Sequence, residues 1–390
     1  MKYALFFALF CCTQYSFAQL YEGFNPEEVR DLSALCSSYT FENLYGSDKE
    51  IIPKSYTKVF TSPVIGMDNK FQVYEKGNIG VINFRGSTDK VSSWVENMYS
   101  AMIPAKGSMK IDKKEMTYKF SAAENAAVHS GYSLAIVLLS PLIIEQIQQL
   151  NKKGIHHILI TGHSQGGALA TLCRAYVEHL PKGTISNKNV FKTYAFACPM
   201  SGNKAFSEDY YALYADNNMS YTIINPADLV PSMPMHYEDN GKVFSKDRLK
   251  KWLFGQESFD IRKIGTEFLV KKFEKSLKSY VNSSNKILEK AISSNYQSID
   301  MPAYVDDINY YQTGIIRELQ PFKYPKIKLD PSTLTEKQLS KLKPDAEGNY
   351  YKKEPSFYQH KPYNYYVGVL KEYFSRDYKN LKVKYLPENL

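Results

Sequence analysis

Cysteine is scarce in this chain, with five in 390 residues, and two of them, Cys11 and Cys12, lie in an N-terminal stretch that reads as removable. The other three, Cys36, Cys173 and Cys198, allow at most one disulfide and leave a thiol over, so no disulfide framework is expected to hold the fold. Long apolar runs are missing as well. Nothing beyond the N-terminus approaches about eighteen consecutive apolar residues, which argues against a transmembrane helix. His, Cys, Asp and Glu nowhere cluster at metal-ligand spacing, so neither a metal nor a cofactor is expected. A strong charge bias is absent too: 49 Lys plus Arg against 40 Asp plus Glu leave +9 over the whole chain, too mild to predict nucleic-acid binding. What is present is ordinary globular material, 44 % apolar and 23 % charged, which excludes intrinsic disorder. The length suits one large domain with an insertion, or two modest domains.

Residues 1–18 read as a secretory signal peptide. Lys2 supplies the charged start, Tyr3 to Cys12 the apolar run, and Ser16-Phe17-Ala18 a small-x-small cleavage site. Cleavage after Ala18 removes Lys2 and leaves a charge of +8 (9 − 1), which places the mature protein in a periplasm or outside the cell.

The rest alternates strands and helices. Asn25 and Pro26 predict a capped helix from Pro26 to Tyr39. Phe71 to Tyr74 and Ile79 to Phe84, joined by a turn at 75–78, read as paired strands. Ser133 to Leu150 is a helical apolar run, with a kink or break expected at Pro141. Ile155 to Thr161, Val190 to Ala197 and Tyr221 to Asn225 are further apolar strands. Between them Gln165 to Leu180 forms a helix whose buried face carries Leu169, Leu172, Tyr176 and Leu180. Such alternation predicts an α/β fold, a mostly parallel sheet covered by helices on both faces.

One stretch breaks the rhythm. Between Gly241 and Asp300 there are thirteen Lys plus Arg against seven Asp plus Glu, and Ile264, Phe268, Phe273, Leu277 and Val281 fall close to a helical stripe. The sequence therefore divides into an α/β domain over 19–241 and 345–390 and a largely helical, Lys-rich insertion or cap over 242–344. Its basic face is either a solvated surface or one that meets anionic lipid or a lipid–water interface.

The chemistry is concentrated in Ile160-Thr161-Gly162-His163-Ser164-Gln165-Gly166-Gly167. A strand enters Gly-x-Ser-x-Gly and a helix leaves it directly. The sharpness of that turn requires small residues at Gly162 and Gly166, and it lifts the Ser164 hydroxyl out of the sheet at a helix N-terminus. A serine nucleophile needs a base, and the base needs an orienting carboxylate. In strand–turn–helix hydrolases these follow the serine in the order acid, then histidine. Only His179, His236 and His360 follow Ser164. His179 lies about 22 Å along the elbow helix and cannot turn back. Asp228 follows the strand Tyr221 to Asn225, at the sheet end where active sites gather. His236 follows Asp228 by only eight residues with two prolines between, so these two are expected to share one loop. His360 arrives on a separate element and is favoured, with His236 the alternative. For the oxyanion, the Gln165 N–H is one donor and Ser87, in the turn after Val81 to Phe84, the other.

These residues resemble the class 3 (fungal-type) lipases of the α/β-hydrolase superfamily. Phe84-Arg85-Gly86-Ser87 looks like that family's oxyanion strand, followed by Trp94 and Asn97 at the spacing of its Trp-x-x-Asn. Val128-His129-Ser130-Gly131-Tyr132 resembles its Val-His-x-Gly-aromatic block. Gly162 to Ala170 is similar to its elbow, with Gln165 where Leu is commoner, and Asn225 to Pro234 resembles its Asp block. The resemblance implies an α/β-hydrolase fold and ester hydrolysis through Ser164, Asp228 and His360, with lipid or other esters as substrate. It makes His129 structural and the segment from about Thr88 to Met102 a lid. It leaves open a phospholipase A1, an aryl or polysaccharide-side-chain esterase, or a binding protein that has lost the chemistry. The chain departs from the family at Ser93, where Asp or Asn is usual, and in its long Asp-to-His interval.

Overall fold

Strands buried on both faces are apolar at every position, and Ile158 to Ile160 obeys that rule. In the computed structural model Ile158 and Ile160 join one core cluster and Leu159 the other, on opposite sides of one sheet. The structure describes residues 19–234, 296, 298–307, 309–321, 323–340, 342–352, 354 and 357–386. Seven strands make the central sheet, in spatial order β1 (Thr57–Thr61), β2 (Phe71–Lys76), β3 (Ile79–Phe84), β4 (His157–His163), β5 (Val190–Phe196), β6 (Ser220–Ile224) and β7 (Ile315–Glu318). The first two pairings are antiparallel and those from β3 to β7 are parallel.

Helices Ser130–Lys152 and Gln165–Glu178 cover one face, with Leu134, Leu139, Ile143, Leu169 and Leu172 packed on Ile82, Phe84, Ile158 and Ile160. Helices Pro26–Cys36 and Pro362–Tyr373 cover the other, with Val29, Leu32, Leu35 and Val369 against Tyr74, Val81, Leu159 and Ile223. The α/β architecture expected from the alternation is the one observed. Cys36, Cys173 and Cys198 are free, buried thiols.

Three local expectations change. The first helix ends at Cys36, and a second, Ser38–Tyr45, begins two residues later. Pro141 does not break its helix, which runs unbroken from Ser130 to Lys152. The proline lies on the exposed side, and the carbonyl it orphans four residues back, that of Val137, accepts the Ser140 hydroxyl at 2.8 Å instead. The third change concerns the stretch 242–344. Ile315–Glu318, inside it, is the seventh strand of the central sheet, paired with β6 from Tyr221↔Ile315 to Ile224↔Glu318. Ile299–Asp300 pairs with Lys106–Ile111 in a separate three-stranded ribbon. What is described of 242–344 is thus largely strand and irregular chain, with one short α-helix at Glu336–Leu339. The helical stripe from Ile264 to Val281, like residues 1–18, lies outside the described residues.

The order of the parallel strands sets the site. Phe84 is in register with Gly162, His163 with Phe196, and Phe196 with Ile223, so β3, β4, β5 and β6 end together. The loops that leave β3, β4 and β6 carry Ser87, Ser164 and Asp228.

Candidate active site

Ser164 is the residue between β4 and the helix Gln165–Glu178, with φ 59° and ψ −127°, a conformation that costs a non-glycine residue on the order of 1–3 kcal/mol. The surroundings hold it there. Its N–H donates to the Phe196 carbonyl at 2.9 Å, and its own carbonyl accepts from Gly167 and Ala168. A Cβ on Gly162 would collide with the Gly166 carbonyl, and one on Gly166 with the Phe84 carbonyl, so both small residues are sterically required.

The Ser164 Oγ lies 2.8 Å from His360 Nε2, and His360 Nδ1 lies 2.7 Å from Asp228 Oδ2. His360 and Asp228 are both 5 % exposed. An ionised carboxylate only accepts, so Nδ1 carries the imidazole proton and Nε2 faces the serine hydroxyl as the acceptor. His360 closes a short 3-10 turn, Tyr358–His360, that begins after Phe357 in the left-handed region at φ 64°. The turn is tied to the Asp loop, because Asn225 Nδ2 donates to Gln359 Oε1 at 2.8 Å.

Asp228 is held on both oxygens. The Val230 N–H donates to Oδ1 at 3.0 Å, and the Tyr365 hydroxyl donates to Oδ2 at 2.8 Å. Tyr365 also accepts the Asn225 N–H at 3.0 Å. Burial, reinforced by the Asp228 charge, holds the Tyr365 phenol well above its usual pKa, which keeps it a donor. This residue escaped the sequence reading, although its position in the first turn of a Pro-initiated helix just after His360 is a local signal. His163 is buried beside the triad, its ring 4.9 Å from that of His360 and 5.3 Å from that of Tyr365. Burial and the neighbouring His360 push its pKa well down, so it packs as a neutral ring.

The oxyanion candidates stand next to the nucleophile. A Cβ on Gly86 would lie 2.7 Å from the His163 carbonyl and 3.5 Å from Ser164 Cβ, so the turn that carries Ser87 touches the elbow. Asn97 Nδ2 donates to Ser87 Oγ at 2.7 Å, and the Tyr132 hydroxyl donates to Asn97 Oδ1 at 3.1 Å. The Gln165 side chain is buried, with Nε2 donating to Glu96 Oε1 at 2.6 Å and Oε1 accepting the Ser93 hydroxyl at 3.0 Å. Asn69 Nδ2 donates to the other Glu96 oxygen at 2.7 Å. Complete burial raises the Glu96 pKa to about 8 against the pull of these two donors. His129 stacks on Tyr132 with ring centroids 3.8 Å apart, and burial lowers its pKa to about 3. That is a packing histidine, as the resemblance implies. His236 lies outside the described residues. No His, Cys, Asp and Glu grouping that would hold a metal ion occurs among the described residues.

Residues 81–238 match the family model for lipase (class 3). That segment is similar to the class 3 lipases. Within it lie Ser87, Ser164, Gln165 and Asp228, whereas His360 is beyond its end and is joined to the matched segment by tertiary contact. Over 168 residues the chain is 26 % identical to a secreted mono- and diacylglycerol lipase (LIP4) of Malassezia restricta, a match that covers 42 % of this chain and 49 % of that protein. The chain thus spans about half the length of the curated relatives it matches. Among solved structures, a Rhizomucor miehei lipase in complex with its propeptide is 18 % identical with a TM-score of 0.41, covering 55 % of this chain and 65 % of that one. A lipase from Rhizopus microsporus var. chinensis is 20 % identical with a TM-score of 0.39, covering 54 % and 69 %.

Proposed function

We propose that this chain is a secreted serine ester hydrolase that cleaves acylglycerol or related lipid esters by acyl transfer to water. The observation that carries the reading is the hydrogen-bonded chain Ser164–His360–Asp228 at the carboxyl ends of the sheet's parallel strands. In this reading His360 Nε2 takes the Ser164 proton as Oγ attacks the ester carbonyl. Asp228 holds the imidazole tautomer and stabilises the imidazolium. The oxyanion lies against the Gln165 N–H and Ser87, and losing one such donor typically costs about 2.7–4 kcal/mol in the barrier. The imidazolium then protonates the leaving alcohol, and the same histidine activates a water that frees the acid and restores Ser164. Secretion rests on the signal-peptide pattern of residues 1–18 and agrees with the secreted lipase among the relatives. The basic stretch between Gly241 and Asp300 is assigned to contact with anionic lipid at the substrate surface.

The test is covalent labelling of the mature protein with a fluorophosphonate. Wild type and His236→Ala label at Ser164, and His360→Ala does not. Labelling lost only in His236→Ala moves the base to that residue, and a wild type that never labels, with or without detergent, reduces the chain to a lipid- or glycan-binding protein. A chain-length series on emulsified and monomeric esters separates lipase from phospholipase and esterase.

A further inference from the structure

The loop that leaves β7 reaches the same end of the sheet as the loops that carry Ser164 and Asp228, and the hydrolytic steps make no use of it. Glu318 is in register with Ile224, and the Leu319 N–H donates to the Ile224 carbonyl at 2.8 Å, so β6 and β7 leave the sheet together. β6 continues into Asn225 and Asp228. β7 continues toward Tyr324, whose ring meets that of Tyr358 edge-on with centroids 4.9 Å apart. Tyr358 begins the turn that ends in His360.

A cleft of about 550 Å³ is lined by this loop, by Tyr351 and Lys352, and by Gln359 of the His360 turn. Its size is that of ordinary small-molecule sites, and ligands of open α/β sheets gather at this end of the strands. The half-buried rings of Tyr324 and Tyr351 give it apolar walls. The Tyr351 hydroxyl is bonded to Asp345, so its ring is what remains to offer, and Lys326 Nζ stands 5.8 Å from the centre of that ring. Charge comes from Lys323, Lys326 and Lys352 against Glu354 alone, a balance of +2 (3 − 1). Among the described residues neither Lys323 nor Lys326 enters an ion pair. Gln359 ties the cleft to the Asp loop through the bond from Asn225 Nδ2.

Like charges gathered around one cleft repel each other, and an anion among them turns that repulsion into attraction. Lysine is a compact point charge that suits phosphate, whereas bidentate capture of a carboxylate favours arginine, and the described lining holds lysine only. We infer that this cleft binds a phosphate-bearing polyol, with the phosphate among Lys323, Lys326 and Lys352 and the carbon skeleton against the tyrosine rings. A phosphate carried by a lipid makes the cleft a head-group subsite beside the triad, and that part rests on the ester-hydrolase reading of Ser164. Binding of the phosphate does not depend on that reading.

The test is calorimetric titration of the full mature chain with sn-glycerol 3-phosphate. Saturable binding is expected with a Kd of about 1 mM or tighter, weakening as salt is raised, and glycerol alone does not saturate. Lys323→Gln and Lys326→Gln, both at exposed positions, each weaken binding about threefold or more. Glu354→Gln tightens it, a gain that damage to the fold cannot produce. Absence of saturable binding, equal binding of glycerol, a Kd unchanged in both lysine variants, or weaker binding in Glu354→Gln would each overturn the inference. Rates on dioleoyl phosphatidate and dioleoylglycerol in mixed micelles identify the source of the phosphate. A phosphatidate-to-diacylglycerol rate ratio that falls in the double lysine variant assigns the cleft to a lipid head group. A ratio that holds while glycerol phosphate binding is lost assigns it to a free phosphate ester. Lysine-dependent binding in a protein that hydrolyses neither lipid and never labels at Ser164 upholds the cleft and defeats the hydrolase reading instead.

Discussion

At the scale of single residues, the site is an arrangement of groups kept in the protonation state their neighbours require. Tyr365 stays a phenol, His163 and His129 stay neutral, and His360 lies between an acceptor and a hydroxyl. Glu96 is the exception, because burial raises its pKa to about 8 while both its oxygens accept amide hydrogens. The charged group that reaches it is Asp68, which is itself engaged by Arg85 and Lys90. A carboxyl whose folded pKa is raised binds its proton more tightly folded than unfolded, so its share of stability is complete at low pH and shrinks as pH climbs toward 8. Wild type should therefore lose Tm between pH 5 and pH 8 relative to Glu96→Gln, which has nothing to titrate there. Parallel Tm-against-pH curves for the two proteins would show that Glu96 is not raised.

At the scale of elements, local chemistry and tertiary context divide the work unevenly. Asn25 accepts from the Glu27 and Glu28 N–H groups, at 2.9 and 3.3 Å, and Pro26 follows it, so the start of helix Pro26–Cys36 is written locally. That helix packs Val29, Leu32 and Leu35 on the sheet. Asn25→Ala should lower the stability of the protein by about 1 kcal/mol, read as a shift in the denaturation midpoint at unchanged slope. An unshifted midpoint would mean that packing alone sets the helix start. Pro141 is the opposite case: proline argues for a break, and the Ser140 hydroxyl on the Val137 carbonyl, with an exposed ring, removes the reason for one. β7 is a third kind of case, four residues of which Ile316, Arg317 and Glu318 are exposed. Such a strand carries no alternation to read, and only its pairing with Tyr221 to Ile224 defines it.

At the scale of the molecule, one mostly parallel sheet collects three loops at one end, and the chain's modest positive charge is unevenly spread. Thirteen cationic against seven anionic side chains between Gly241 and Asp300 put +6 (13 − 7) of the chain's +9 into that one stretch. If it meets anionic lipid, the mature protein should bind phosphatidylglycerol-containing vesicles, with binding that weakens steeply between low and physiological salt and is absent on neutral vesicles. Binding indifferent to both salt and lipid charge would remove the electrostatic role.

Much of this protein is decided by its sequence alone, because the deciding interactions are local. Gly162, Ser164 and Gly166 must form a strand–turn–helix elbow for steric reasons that lie within five residues. The alternation of apolar strands and helices leaves little but an α/β layer structure, and Asp228 follows β6 at a sheet end whatever else the chain does. His360 was reached only by order and elimination, since nothing in residues 357–361 declares a catalytic base. Its place depends on a turn bonded to Asn225, 134 positions away in the chain. Glu96 was not reached at all. A glutamate near the end of a short helix looks like any solvated acid, and only the folding of Asn69 and Gln165 around it makes it a buried anchor. The difference is physical: steric limits on a turn act between neighbours, whereas burial and a hydrogen-bond partner exist only once distant segments have met.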